Sequence, residues 1–196
     1  MSKDIRIKKG LDIKLKGAAE KVTQDAISSS VFAIKPEDFH TITPKLSVKV
    51  GAKVQAGSPI FHNKQIEAMK FVSPVSGEVS NIIRGEKRKI LAVEITADNE
   101  QSHHDFGVKS PKAMNAEEIK EHLLASGCWS FVKQRPYDVI ANPAVAPKAI
   151  FISAYNSAPL AADYDYALAG KEEALQAAVT ALSKLTTGSV HVSVGK

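Results

Sequence analysis

The chain of 196 residues has a single cysteine, Cys128. One thiol can form no internal disulfide and cannot supply the cysteine cluster of a zinc or iron–sulfur site. The sequence also lacks a run of about 18 apolar residues and a charged-then-apolar leader. These absences exclude a membrane-spanning helix and a secretory signal, and they predict a cytoplasmic compartment.

Aromatic residues are few, at 6%, and acidic charge is scarce in the first half of the chain. Residues 1–97 hold 17 Lys/Arg against 10 Asp/Glu (+7), which leaves 9 against 11 (−2) for residues 98–196. Because the lysines alternate along predicted strands without exposed aromatics between them, nucleic acid is not expected as a partner. An acidic protein surface or anionic lipid suits the basic half better.

The densest positive charge lies at residues 84–89, where Arg84, Lys87, Arg88 and Lys89 fall within one predicted turn. These four side chains are the candidate docking residues, for a partner protein or for lipid phosphates. The alternative is that they are only solvated.

Short alternating strands bracketed by glycine dominate residues 48–79. Apolar residues recur at every second position, which is typical of half-buried strands, and Gly51 and Gly57 fall where the chain must turn. Pro74 is predicted at a strand start and Gly77 at a tight bend. The spacing resembles the barrel-sandwich hybrid of biotinyl and lipoyl carrier domains.

Carrier domains hold a modifiable lysine at a hairpin tip, and Lys70 lies in a similar sequence, Glu-Ala-Met-Lys. The tip is predicted at 63–65, because hairpin tips take about two to five residues. Lys70 is therefore predicted inside the returning strand, unmodified. A carrier domain nevertheless stays as an alternative function.

The first hundred residues are predicted to be mainly β, and residues 113–196 to be mixed. A polar stretch at 101–112 is the predicted linker, so the domains are 1–100 and 113–196. His103 and His104 are interpreted as linker residues, since no further metal ligands stand at a recognisable spacing. Further predicted strands lie at 5–7, 11–15, 31–34 and 90–95.

The second part begins with a capping box, Asn115 and Glu118, which predicts a helix that Gly127 ends. A strand at 149–153, a helix at 171–185 and a strand at 190–194 predict a βαβ unit. The elements are too few for a complete doubly wound sheet, so this is a partial, Rossmann-like α/β domain.

Taken together, these stretches resemble the N-terminal part of the A-subunit family of the Na⁺-translocating NADH:quinone oxidoreductase, a bacterial respiratory complex. Family members are longer, so the chain looks like an N-terminal fragment. The matching stretches are 7–13, 48–57, 71–79, 84–88, 126–129, 135–137 and 185–188.

The resemblance extends to electron-transfer subunits that bind flavin mononucleotide and NADH through a glycine-rich loop. This chain departs from their pattern in that loop, and also at 154–159, where those relatives carry a glutamate-rich turn. The resemblance thus implies a fold that has lost its flavin, and no catalytic or metal-binding residue. The degenerate loop comprises Gly127, Cys128, Trp129, Phe131, Arg135, Pro136 and Tyr137.

The aromatic residues of this loop have two interpretations. Trp129, Phe131 and Tyr137 either form the core that replaces the flavin or line a groove for a flat ring such as a quinone. Cys128 is expected to be a buried packing residue.

The resemblance implies a peripheral protein on the cytoplasmic side of the bacterial inner membrane. It would dock onto other subunits, especially a quinone-associated membrane subunit, while NADH, flavin and quinone serve the whole complex. A flavin- or NAD-binding oxidoreductase domain is the remaining alternative.

Overall fold

The structure is a computed structural model that describes residues 10, 15–17, 19–27 and 29–195. The strands predicted at 5–7 and 11–15 lie outside the described residues, apart from Leu15.

The described N-terminal part is mainly β, as predicted, and contains seven strands. One antiparallel sheet has the order β1-β7-β6-β3 and a second has the order β2-β4-β5. The two sheets enclose one apolar core, which confirms the barrel-sandwich hybrid. The strands are β1 (Val31–Ile34), β2 (Pro44–Leu46), β3 (Lys53–Val54), β4 (Pro59–Asn63), β5 (Ile66–Val72), β6 (Gly77–Arg84) and β7 (Ile90–Ala97).

Three phenylalanines occupy the centre of this core. Phe61 and Phe71 are opposite one another on β4 and β5 with ring centroids 4.9 Å apart, and Phe39 packs on Phe71 at 4.5 Å. Such pairs are stabilised by stacking in addition to the burial of their area. The alternation predicted at 48–54 is confirmed only at Val54, which is buried on β3, because residues 48–50 form no strand and Val50 is 55% exposed.

The predicted turns are confirmed at three places. Gly51 and Gly57 have φ of +82° and +97°, a region that residues with a side chain rarely adopt. β4 and β5 are joined by Lys64 and Gln65 alone, within the predicted tip. Lys70 consequently lies inside β5.

Two expectations for the β5–β6 connection are wrong. Pro74 lies in the loop before β6, where the Ser73 hydroxyl donates to the Val75 carbonyl and shapes a local turn. Gly77 makes no bend and is instead the first residue of β6. A Cβ at Gly77 would lie 2.0 Å from the Thr96 carbonyl oxygen, so close approach of backbones explains this glycine.

The beginning of the predicted linker runs along the barrel. The Ala56 N–H donates to the Ser102 carbonyl at 3.0 Å, and the His104 N–H donates to the Ala56 carbonyl at 2.8 Å. Phe106 lies edge-on to His104 and covers Gly57. His103 and His104 are thus held against the barrel by backbone pairing.

The second part contains the predicted elements and an extra hairpin. Asn115 and Glu118 form the capping box at the start of the first helix. β10 and β11 pair in parallel with two helices between them, which confirms the βαβ unit. The elements are α1 (Ala116–Ala125), β8 (Lys133–Gln134), β9 (Val139–Ile140), β10 (Ile150–Ser153), α2 (Tyr164–Ala167), α3 (Glu172–Ser183) and β11 (Val190–Ser193).

The first helix packs on the barrel through β5. Gly127, in the left-handed conformation with φ of +78°, ends α1 and lies against the Val72 side chain. Leu124 of α1 and Ile140 of β9 join the same buried cluster as the barrel strands. Within the described ranges, no helix has both the length and the apolar character needed to cross a membrane.

Candidate functional site

The basic turn, residues 84–89, connects β6 and β7. Residues Glu86 to Lys89 form a β-turn that is closed by a hydrogen bond from the Lys89 N–H to the Glu86 carbonyl, 3.0 Å long. The Arg84 guanidinium donates to the Arg88 carbonyl at 3.1 Å. All four cationic side chains are exposed.

The backbone of this turn is unusual. Lys87 and Arg88 have φ of +52° and +60°, although neither is glycine. A tight turn of a β-hairpin requires positive φ at both central residues, because that geometry matches the twist of the flanking strands. Residues with side chains adopt it at a conformational cost.

The segment predicted as a degenerate flavin loop forms a 3-10 turn at Cys128–Phe131, followed by the β8–β9 hairpin. In a 3-10 turn, residues three apart share one side. Cys128 and Phe131 therefore both face solvent, whereas Trp129 and Ser130 are buried. The expectation that Cys128 is buried is wrong.

The aromatic residues of the loop do not act together. Trp129 is only 6% exposed, whereas Phe131 and Tyr137 are 81% and 80% exposed. The core interpretation therefore holds for Trp129 and is wrong for the other two, because Phe131 takes the outward side of the turn and Tyr137 lies at the hairpin tip. Arg135 and Pro136 share that tip, and the Arg135 side chain pairs with Asp138.

Trp129 fixes the loop to the rest of the structure. Its indole N–H donates to the Ala141 carbonyl at 2.7 Å. The Ser130 N–H donates to the Gly127 carbonyl and the Val132 N–H to the Trp129 carbonyl. These N–H groups are thus used inside the turn, whereas phosphate binding by such a loop needs them free.

A polar cluster that the sequence did not suggest surrounds His62 on β4. The imidazole Nδ1 lies 3.1 Å from the Ser47 hydroxyl, and Nε2 lies 3.9 Å from a carboxylate oxygen of Glu67. Lys45 and Lys70 are the residues opposite His62 on β2 and β5. The side chain of His62 is only 12% exposed.

Burial lowers the pKa of His62 below its ordinary value of 6.5. The ammonium groups of Lys70 and Lys45 lower this pKa further, while the carboxylate of Glu67 opposes them. The folded protein therefore holds His62 neutral near neutral pH.

This lowered pKa predicts a pH dependence of stability. The folded state takes up a proton on His62 less readily than the unfolded state, so the stabilisation is complete above pH 6.5 and is lost as the pH falls below that value. In His62→Gln, the melting temperature should decline less steeply on acidification from pH 6.5 than in the parent chain. Equal slopes in a thermal-denaturation series would contradict this prediction.

Metal binding finds no support in the part of the chain that the structure describes. No three side chains among its histidines, cysteines, aspartates and glutamates converge as ligands.

Two family models match the chain. The NqrA N-terminal barrel-sandwich hybrid domain matches residues 5–98, and the NqrA second alpha/beta domain matches residues 114–196. Together they include the basic turn, the Trp129 loop and the βαβ unit.

Curated proteins named as the A-subunit of the Na(+)-translocating NADH-quinone reductase are similar over almost the whole chain. One from Yersinia pseudotuberculosis serotype O:1b is 34% identical over 190 residues, 96% of this chain and 42% of the relative. One from Tolumonas auensis is 36% identical over 195 residues, 98% of this chain and 44% of the relative. The chain therefore spans less than half the length of these relatives, and it belongs to the NqrA family.

Proposed function

We propose that this chain acts as the N-terminal part of an NqrA protein in a Na⁺-translocating NADH:quinone reductase. The observation that carries the proposal is the similarity to NqrA proteins across both the barrel and the α/β part. The chain would have a structural and docking role on the cytoplasmic side of the membrane. NADH oxidation, quinone reduction and Na⁺ transport would belong to the whole complex.

The proposed roles differ between the two parts of the chain. The barrel, residues 1–100, would present the docking surface, and residues 113–196 would begin an α/β domain without a flavin, joined by residues 101–112. The barrel half carries the positive excess of the chain, with 17 Lys/Arg against 10 Asp/Glu in residues 1–97.

The basic turn is the proposed contact with another protein of the complex. Exposed charges mainly steer association and contribute little to folding, so a docking role should be separable from stability. Positive φ at Lys87 and Arg88 is explained by the hairpin turn itself, so the support for docking is the cluster of four exposed cations.

Replacing Arg84, Lys87, Arg88 and Lys89 by serine should leave the melting temperature within a few degrees, because exposed substitutions usually cost about 0.5 kcal/mol or less each. The same change in the full-length protein should weaken its retention by bacterial membranes, most clearly at raised salt. The measurement is co-sedimentation with membranes over a salt series.

A matched variant removes four positive charges elsewhere, at the exposed Lys35, Lys49, Lys64 and Lys133. It should be retained like the parent protein. If both variants lose retention equally, net charge explains the effect and the basic turn is not a docking site.

The flavin-free proposal predicts that the purified chain is colourless and binds neither flavin mononucleotide nor NADH at micromolar concentration. Its support is the use of the Ser130 and Val132 N–H groups within their own turn. Calorimetric titration with each ligand tests this. Stoichiometric binding of either would favour an oxidoreductase domain with its own cofactor site.

A further inference from the structure

The parallel strands β10 and β11 differ strongly in exposure between their two faces. Successive side chains of a strand point to opposite faces of a sheet. On one face Ile150, Ile152 and Val190 are half-buried, and α3 contacts β11. The residues of the opposite face, called the outer face below, are all exposed, and they are Phe151, Ser153, His191 and Ser193.

Two stacked rings lie on the outer face. Phe151 and His191 are directly opposite one another in the β10–β11 pairing, with ring centroids 4.8 Å apart and ring planes at 14°. Phe151 is nevertheless 73% exposed. A phenylalanine left in water forgoes the stabilisation that burial of its ring gives. The outer face therefore gains stability from any element that covers this pair.

The composition of the two strands is that of a covered surface. Residues 150–153 and 190–193 contain no Asp, Glu, Lys or Arg, although 24% of the chain is charged. Depletion of charge together with aromatic residues is typical of the core of an interface. Parallel strands, moreover, occur almost only in sheets with both faces covered. These features favour an apolar element as the cover of the outer face.

The size of the outer face decides which kind of occupant it can hold. Four strand residues span about 13 Å and two strands about 10 Å, which gives a footprint of about 130 Å². A stable contact between separate proteins buries about 800 Å² on each partner. A segment of the same protein needs far less area, because it loses no translational and rotational freedom of a separate molecule. The outer face therefore fits an intramolecular occupant.

We propose that the outer face is an internal interface of the full-length protein, covered by the apolar side of a helix from the part of an NqrA protein that this chain does not include. The relatives are long enough for this, since the matching residues make up 42% and 44% of their length. The inference rests on the proposed function, because it requires a longer NqrA protein. It does not involve the basic turn.

Oxidative footprinting of the 196-residue chain and of the full-length protein tests this interface. The rate at which hydroxyl radicals modify a side chain follows its exposure to solvent. The rate at Phe151 should be about tenfold lower in the full-length protein, as expected for an exposed ring that becomes part of a core. Phe131, which is 81% exposed, is the matched control and should react equally in both proteins.

A pair of substitutions provides a second readout. Phe151→Asp should lower the melting temperature of the full-length protein by about 5 °C or more, because it places a carboxylate in an apolar interface. In the 196-residue chain the same change should shift the melting temperature by about 2 °C or less, since the ring is exposed there. Phe131→Asp is the control and should have the small effect in both proteins.

Three results would overturn the proposal. The first is an equal rate of modification of Phe151 in the two proteins. The second is an equal slowing of Phe131 and Phe151, which would show that the coverage is not specific to the outer face. The third is protection of Phe151 that rises with the concentration of the 196-residue chain, which would assign the outer face to a second copy. Retention of the basic-turn variant by membranes tests the proposed function separately from all three.

Discussion

Replacing Trp129 by alanine is expected to lower the free energy of unfolding by about 4 kcal/mol, within the range for removal of a large buried aromatic side chain. The indole belongs to the same buried cluster as Leu124 of α1 and Ile140 of β9, and that cluster continues into the barrel. The substitution also leaves the Ala141 carbonyl without its donor. In a domain of this size the melting temperature should fall by about 10 °C.

Two further variants separate the loss of packing from the loss of the hydrogen bond. Trp129→Phe keeps most of the packing and loses the hydrogen bond to Ala141, so it should cost about 1–2 kcal/mol. Phe131→Ala, two residues further along the chain, should cost about 0.5 kcal/mol or less because its ring is exposed. Equal losses for Trp129→Ala and Phe131→Ala in chemical denaturation would contradict the orientation of the 3-10 turn.

Replacing Gly77 by alanine is the second change with a large expected effect, a loss of about 3 kcal/mol. The added methyl group would lie 2.0 Å from the Thr96 carbonyl oxygen and 3.0 Å from the Ala97 Cα atom. Both obstacles are backbone atoms of β7, and Gly77 is the residue opposite Ala97 in the β6–β7 pairing. Relief of the clash would therefore require the two strands to separate at this end.

Gly51→Ala is the matched control. Gly51 has φ of +82° but open space around its Cα atom, so alanine meets conformational strain without a clash. The expected cost is about 1 kcal/mol. Thermal denaturation of both variants is the measurement, and a larger loss for Gly51→Ala would mean that strain outweighs close approach.

The sequence was most informative where a local rule acts over a few residues. The capping box needs only Asn115 and Glu118, three residues apart, and α1 begins there. The tip predicted at 63–65 from turn length contains the observed connection, Lys64 and Gln65. In the second part, β10, α3 and β11 were predicted from their apolar residues, whereas the β8–β9 hairpin and α2 were not predicted.

The loop after α1 shows where such rules stop. Nothing in the sequence separates Trp129 from Phe131, since both are large aromatics near a glycine. The 3-10 turn determines which aromatic side chain is buried, because Phe131 and Cys128 lie on its exposed side and Trp129 lies on its buried side. The close approach of the β7 backbone to Gly77 cannot be inferred from the sequence either. The atoms that would obstruct a Cβ belong to a strand about twenty residues further along the chain.

The surroundings of His62 depend on tertiary structure entirely. A regular hairpin with Asn63 opposite Ile66 would place His62 opposite Glu67. The observed irregularity after His62 moves the register, so that His62 is opposite Lys70 instead. The sequence determined the two strands and their tip by itself, through alternation and turn length. The pairing of the strands in the folded sheet sets the shifted register, and that register decides which side chains lie opposite His62.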